Sequence, residues 1–235
     1  MDNKVELLGY YGTDLVHAQS AWTSTSRDLS EDKLERVDKL LAMLASEGHH
    51  TPFEKSSLHF LVTVDQATHI HLLKHRVGVS INGESARYKE LKEDKFYIPE
   101  DWKGLKTSEE LFIHDEDSNG NEEGGELSWK KGTDWASLLQ DYTEIGNYLY
   151  HNALTDLTPL IGRKRAKESA RFFKTFNSQI TMDVMFNWRS FAHFLKLRNS
   201  EHAQKEVREL AQQMLQIVKD IPGNPFEKTV KAFGL

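Results

Sequence analysis

In the run LHFLVTVD, Leu58 to Asp65, the apolar residues Leu58, Phe60, Val62 and Val64 alternate with His59, Leu61 and Thr63. Alternation of this kind, rich in β-branched side chains, marks a strand with one face against a core, because successive side chains of an extended chain point to opposite faces. The neighbouring segments follow another period. Leu34, Val37, Leu41 and Leu44 recur at helical spacing as far as Gly48, with Ser30 as the expected N-cap before Glu31 and Asp32. Gln66 to Arg76 carries Ile70 and Leu73 at the same spacing until Gly78 and the Ser-Ile-Asn-Gly segment interrupt it. The stretch KHRVGVSINGESARYKE, Lys74 to Glu90, therefore reads as a helix end running into a loop.

Further along, Leu138, Tyr142, Ile145 and Leu149 restore a helical stripe, Lys167 to Lys174 reads as another helix, and QITMDVMFN looks extended. RSFAHFLKLR and AQKEVRELAQQMLQIVKDI read as closing helices, the second with Val207, Leu210, Met214 and Ile217 inward and with Pro222 stopping it. Helices and strands mix without regular alternation, so the expected class is α+β, in a single domain over residues 1–235. Within it, residues from about 102 to 133 surround the polar, acidic, Gly-rich run DEDSNGNEEGGE. Such a run has little to bury and reads as a surface insertion.

Composition removes several function classes. A net charge of -6 argues against a general nucleic-acid binder, since backbone affinity depends on many cations releasing counterions. No run approaches the roughly 18 apolar residues of a membrane span. The opening MDNKVELLGYYG has neither a basic nor an apolar leader region, so the expected location is cytoplasmic, with no membrane partner. Cysteine is absent. That excludes disulfides, thiolate metal sites and every mechanism that uses a Cys nucleophile.

Three constellations carry chemistry. In the Lys74–Glu90 stretch, Lys74, His75 and Arg76 supply cationic donors, Ser80, Asn82 and Ser85 supply short hydrogen-bonding groups around Gly83, and Arg87 adds a planar fork suited to phosphate. A solvated basic helix end with a capping loop is the alternative. HHTPFE, His49 to Glu54, is a turn whose His49, His50, Thr51 and Glu54 are all capable ligands, with backbone capping as the alternative for Thr51 and Glu54. In NWRSFAHFLKLRNSEHAQKEVR, Asn187 to Arg208, helical spacing puts Arg189, His193 and Lys196 on one face, and Phe191, Phe194, Leu195 and Arg198 toward another. Arg198, at the end of an apolar stripe, should meet an anion or an electron-rich ring, because an unpaired buried cation is costly. His71 and His75 stand four apart on a probable helix, a spacing open to a metal. There is no HExxH, and no metal is expected.

Taken in order, KHRVGVSINGESARY, the upstream GHHTPFE, and the downstream KESAR and NWRSFAHFLKLRNSEHAQKE resemble the flavin-dependent thymidylate synthases. The resemblance covers about Gly48 to Glu90 and Lys167 to Pro222. It implies that family's fold, an antiparallel or mixed sheet flanked by helices, and its activity: reductive methylation of dUMP to dTMP without a Cys nucleophile. Implied with it are FAD as hydride carrier, NADPH as reductant, 5,10-methylenetetrahydrofolate as one-carbon donor, and a homotetramer with shared active sites. For dUMP it implies His71, Lys74, Glu84, Ser85, Ala86, Arg87, Arg171 and Arg198, with Arg198 the catalytic group that stabilises charge developing on the uracil. For FAD it implies Thr51, Lys74, His75, Arg76, Glu84, Asn187, Arg189 and His193. Two departures stand out. Lys74 replaces the family's first Arg, keeping the charge and losing the fork. The loop is also one residue longer, which puts Gly83 where a Glu is expected and Glu84 one place later, with the extra residue to be absorbed between Arg76 and Ser80. A metal-dependent nucleotide hydrolase and a non-catalytic nucleotide-binding protein are the alternatives.

Overall fold

The structure is a computed structural model that describes residues 2–26, 28–85, 87–113 and 127–235. In chain order its elements are β1 (Lys4–Tyr11), α1 (Asp14–Trp22), α2 (Glu31–Glu35), α3 (Val37–Ser46), β2 (Ser57–Asp65), α4 (Gln66–Leu73), β3 (Val79–Gly83), β4 (Leu111–Ile113) and β5 (Leu127–Trp129). They continue with α5 (Trp135–Ile161), α6 (Arg163–Ala170), β6 (Gln179–Phe186), α7 (Trp188–Arg198), α8 (Lys205–Lys219) and α9 (Glu227–Ala232). One-turn 3-10 helices lie at Thr51–Glu54, Glu100–Trp102 and Arg171–Phe173. The class is α+β. Its backbone contacts divide into two compact units, one of Asn3–Glu84 with Ile180–Leu235, the other built on Ser85–Gln179.

The first unit is organised by a four-stranded sheet in the order β1-β2-β6-β3. β2 is interior to it, and Leu58, Phe60, Val62 and Val64 are all fully buried, as the alternation predicts. Their face joins Phe191, Phe194 and Leu195 of α7 and Leu210, Met214 and Val218 of α8 in one core cluster. β1 pairs antiparallel with β2 from Lys4↔Thr63 to Tyr11↔Ser57, with a register shift between Leu7 and Gly9.

Residues Val79–Gly83 correct the loop expectation: they are an edge strand, paired antiparallel with β6 from Val79↔Phe186 to Gly83↔Met182. Val79 and Ile81 pack against the core while Ser80 and Asn82 stay exposed. An edge strand needs only one partner and one buried face, so polar and Gly residues that read as a turn are compatible with it. The ladder runs without a register shift, and the Val77–Gly78 turn precedes it.

Two helices also depart from expectation. The single helix expected before Gly48 is two, broken at Arg36 (φ -97°, ψ 2°), and Ser30 makes no side-chain cap bond. Leu34 is exposed because α2 buries nothing, whereas Val37, Leu41 and Leu44 of α3 are buried. In α4 the buried residues are Thr68 and Leu72, and Ile70 and Leu73 face outward. Asp65 sets that phase: its carboxylate accepts from Thr68 N at 2.8 Å and from Thr68 Oγ1 at 2.8 Å, fixing the first turn.

In the second unit α5 is capped by Asp134, whose Oδ1 accepts from Ala136 N at 3.0 Å. Its buried face is Thr143, Gly146, Asn147, Tyr150 and Leu154, so Tyr142 and Leu149 of the expected stripe are exposed. Gly146 is required there, since a Cβ would lie 2.6 Å from Phe173 O. Lys174, with its side chain only 4% exposed, donates to Asp94 Oδ1 at 2.6 Å and Asn147 Oδ1 at 2.7 Å and lies 4.5 Å from the Tyr150 ring centre. Burial would raise the Asp94 pKa, but Lys174 and His151 together hold it below the usual carboxylate value. The helix expected at Lys167–Lys174 is α6 followed by the 3-10 turn at Arg171–Phe173. Of the acidic insertion, β4 and β5 form a two-stranded ladder, Leu111↔Trp129 to Ile113↔Leu127, while DEDSNGNEEGGE lies outside the described residues.

Candidate active site

Arg198 ends α7 half-buried, and its Nε donates to His75 Nε2 at 3.0 Å. A guanidinium has no acceptor, so His75 Nε2 offers its lone pair and the ring proton is assigned to Nδ1. Burial, then Arg198, His193 and His71, push the His75 pKa down to about 4, and the ring is neutral in ordinary conditions. Phe194 packs edge-on to it, with ring centres 5.0 Å apart. Arg198 thus meets the in-plane lone pair of His75, the middle residue of the Lys-His-Arg triplet. One Arg198 nitrogen fixes the side chain on the protein, leaving its remaining N–H groups for another acceptor. His71 is held separately, its Nε2 3.0 Å from Gln204 Oε1.

Along α7, Arg189, His193 and Lys196 line one cavity of about 880 Å³, as their shared face predicts. His50, Val77 and Phe233 contribute to other parts of its wall. Arg189 Nη1 donates to Glu54 Oε1, which ties the helix to the HHTPFE turn. Thr51 opens that turn and is exposed; His50 beside it, not Thr51, lines the cavity. Asn187 is the N-cap of α7, its Oδ1 accepting from Ser190 N at 2.9 Å, and Ser190 Oγ donates to Val77 O at 2.8 Å.

These bonds hold the Val77–Gly78 turn against α7. At Gly78 (φ +66°) an added Cβ would lie 2.3 Å from Ser190 Oγ and 2.6 Å from Asn187 Nδ2. Gly78→Ala is therefore expected to destabilise the fold by about 1–3 kcal/mol, through the left-handed backbone and the contact together. A urea-unfolding midpoint measures it, and an unchanged midpoint would remove this turn as a constraint on α7.

Glu84 follows β3 and is bonded to β6. Its backbone N–H donates to Thr181 O at 2.9 Å and its Oε2 accepts from Thr181 N at 3.0 Å, so its side chain closes the end of the β3–β6 ladder. Gly83 has no such group and is the last residue of the strand. Lys74 and Arg76 are exposed beyond the end of α4.

Ser85, Arg87 and Arg171 belong to the second unit. Ser85 Oγ accepts from Arg87 N at 3.3 Å, and Arg87 Nε donates to Glu168 Oε1 at 2.8 Å, joining the loop to the KESAR segment. Glu168 raises the Arg87 pKa further above neutrality by hydrogen bonding and charge. Lys167 Nζ donates to Tyr88 O at 3.0 Å, and Arg171 is exposed at the end of α6. Ala86 lies outside the described residues. Sequence reasoning singled out His50 as a capable ligand in the HHTPFE turn but did not foresee Val77 or Phe233 as cavity residues, nor Glu54 and Glu168 as the partners that orient Arg189 and Arg87. The Glu partners lie inside the motifs already singled out, whereas nothing in local pattern marks Phe233.

Arg189 and Lys196 edge the cavity, and His193 on its wall lies edge-on to the His75 ring that holds Arg198, with ring centres 6.4 Å apart, an arrangement chemically able to receive an anion. The Thy1 family model, described as thymidylate synthase complementing protein, matches residues 6–222, and the chain belongs to that family. A flavin-dependent thymidylate synthase of Pseudothermotoga lettingae is 28% identical over 227 residues, covering 97% of this chain and 90% of the relative. One from Clostridium tetani is 30% identical over 204 residues, covering 86% of this chain and 73% of the relative. Among solved structures, a UMP/dUMP methylase, PolB, from Streptomyces cacaoi bound with 5-Br dUMP superposes with a TM-score of 0.74 at 26% identity, covering 99% of this chain and 95% of that one.

Proposed function

We infer that this chain is a flavin-dependent thymidylate synthase that methylates dUMP to dTMP. The observation that carries the reading is the Arg198–His75 pair: a permanent cation, oriented by a neutral ring, in a chain with no cysteine to activate a pyrimidine. It is supported by the family membership and by relatives that bear this activity in their names.

The donor set fits FAD. Arg189, His193 and Lys196 suit its pyrophosphate, and His50 and Phe233 offer flat surfaces for a ring. Thr51, Lys74, His75, Arg76, Glu84 and Asn187 complete the groups assigned to it. When bound, FAD supplies the hydride that the methyl group requires, with NADPH as reductant and 5,10-methylenetetrahydrofolate as one-carbon donor. Arg198 directs its free N–H groups to the uracil and stabilises negative charge there. Ser85, Arg87 and Arg171 hold the phosphate, with the Ala86 backbone as a further donor; His71, Lys74 and Glu84 serve the nucleotide. The chain acts as a single catalytic domain in a cytoplasmic homotetramer whose active sites are shared. Among the described residues no helix is long and apolar enough to cross a membrane. A metal-dependent hydrolase is not favoured, because His71 and His75 are directed at Gln204 and Arg198.

The purified protein is expected to be yellow, and NADPH to bleach the flavin faster with dUMP present. A colourless protein that takes up no flavin on reconstitution removes this reading. Repeating the bleaching with UMP tests the pyrimidine's sugar, since PolB is described as acting on both nucleotides.

A further inference from the structure

The family match ends at residue 222, yet Ala232, Phe233, Gly234 and Leu235 line the cavity that also contains Arg189 and His193. Two sets of contacts fix this C-terminal segment. Phe233 is half-buried, edge-on to Phe53 with ring centres 4.8 Å apart and tilted against His50 at 5.5 Å. Beneath it, Thr229 is fully buried in a four-residue chain of hydrogen bonds. Asp14 accepts from Thr229 N at 2.8 Å, from Thr229 Oγ1 at 2.5 Å and from Lys228 N at 2.9 Å. Thr229 Oγ1 gives its only proton to Asp14, so it accepts from His17 Nδ1 at 3.0 Å, and His17 Nε2 accepts from Ser56 Oγ at 2.9 Å. None of these four residues is more than 9% exposed. This arrangement resembles a nucleophile relay in residue type, but His17 is fully buried and Ser56 only 5% exposed, and neither lines the cavity. Its physical consequence is mechanical: α9 is bolted to α1, and Phe233 is presented at a fixed position.

We propose that residues Glu227–Leu235 are a wall of the cofactor cavity that determines flavin affinity, with Phe233 as the surface against which a cofactor ring stacks and the Asp14–Thr229–His17–Ser56 chain as the latch that holds it. This rests on the assignment of the cavity to FAD and adds to it a ring-binding residue outside the family-matched region. A phenyl ring already braced by Phe53 and His50 loses little conformational freedom when a second ring stacks on it.

The test is a fluorescence titration of the flavin-stripped full chain with FAD. Phe233→Leu keeps apolar volume and removes the π-face, and is expected to raise the FAD dissociation constant about tenfold. Phe233→Tyr restores the face and should bind within about twofold of the parent, a difference that a purely structural role would not produce. Leu235→Asp supplies a variant that leaves the Phe53 contact intact, and its added charge facing the cofactor's phosphates should weaken FAD binding more at low salt than at high salt. Equal FAD affinity in Phe233→Leu and the parent overturns the wall while leaving the enzyme reading intact. Should Phe233→Leu fail to fold, unchanged binding by Leu235→Asp at low salt overturns it instead. If the parent itself binds no FAD, the enzyme reading fails first and the wall with it.

Discussion

Replacing Arg198 with Lys is expected to lower thymidylate formation by about 10²–10³ at saturating substrate while the flavin spectrum is retained. The size follows from geometry. Arg198 commits Nε to His75 and still presents a second edge of N–H groups, whereas a lysine ammonium is a compact head without the planar fork that sets paired N–H groups at a fixed angle to the first bond. Charge is conserved in the substitution, so long-range attraction for dUMP survives and the loss falls on kcat more than on KM. Single-turnover formation of dTMP from enzyme preloaded with reduced flavin measures that step. An unchanged rate would take Arg198 out of the mechanism and leave its contact with His75 a structural one.

Acid should destabilise this protein before its carboxylates are neutralised. His17 is fully buried, and desolvation lowers its pKa to about 4 from 6.5; His75 is shifted to about the same value by burial, then by Arg198 and the neighbouring His193 and His71. Between those limits the unfolded chain binds protons that the folded chain refuses. The contribution of these two neutral rings is therefore fully present above about pH 6.5 and is lost as the pH falls toward 4. His17 alone accounts for about 2 kcal/mol between pH 7 and pH 5, and His75 acts in the same direction. Asp14 works against this trend at the acid end, because burial raises its pKa and its protonation favours the folded state. Urea midpoints at pH 7, 6 and 5 test the point, with His17→Gln expected to flatten the slope whatever it does to absolute stability. A parent protein equally stable at pH 7 and pH 5 would contradict it.

Much of the site was legible because its residues sit within short segments whose spacing is set by local backbone. Helical periodicity alone puts Arg189, His193 and Lys196 on one face, and all three line the cavity. Alternation alone finds the buried face of β2. Local pattern failed where a distant partner decides. Val79–Gly83 is a strand only because β6, about a hundred residues away, supplies its ladder. The outward faces of Ile70, Tyr142 and Leu149 are likewise set by what each helix docks against, since residues at helical spacing specify a stripe but not which neighbour covers it.

The sequence by itself determined the chemistry on offer: cations and small donors in the Lys74–Glu90 and Asn187–Arg208 segments, no thiol, and an amphipathic pattern for the helices that carry them. Only the tertiary structure decided what each charge is bonded to. His75 is neutral because burial and Arg198 make it so, Arg189 and Arg87 are steered by Glu54 and Glu168, and the last residues of the chain close a cavity begun near Ala45. The physical reason is that pKa, orientation and enclosure depend on dielectric and on neighbours through space, and those are properties of packing rather than of order along the chain.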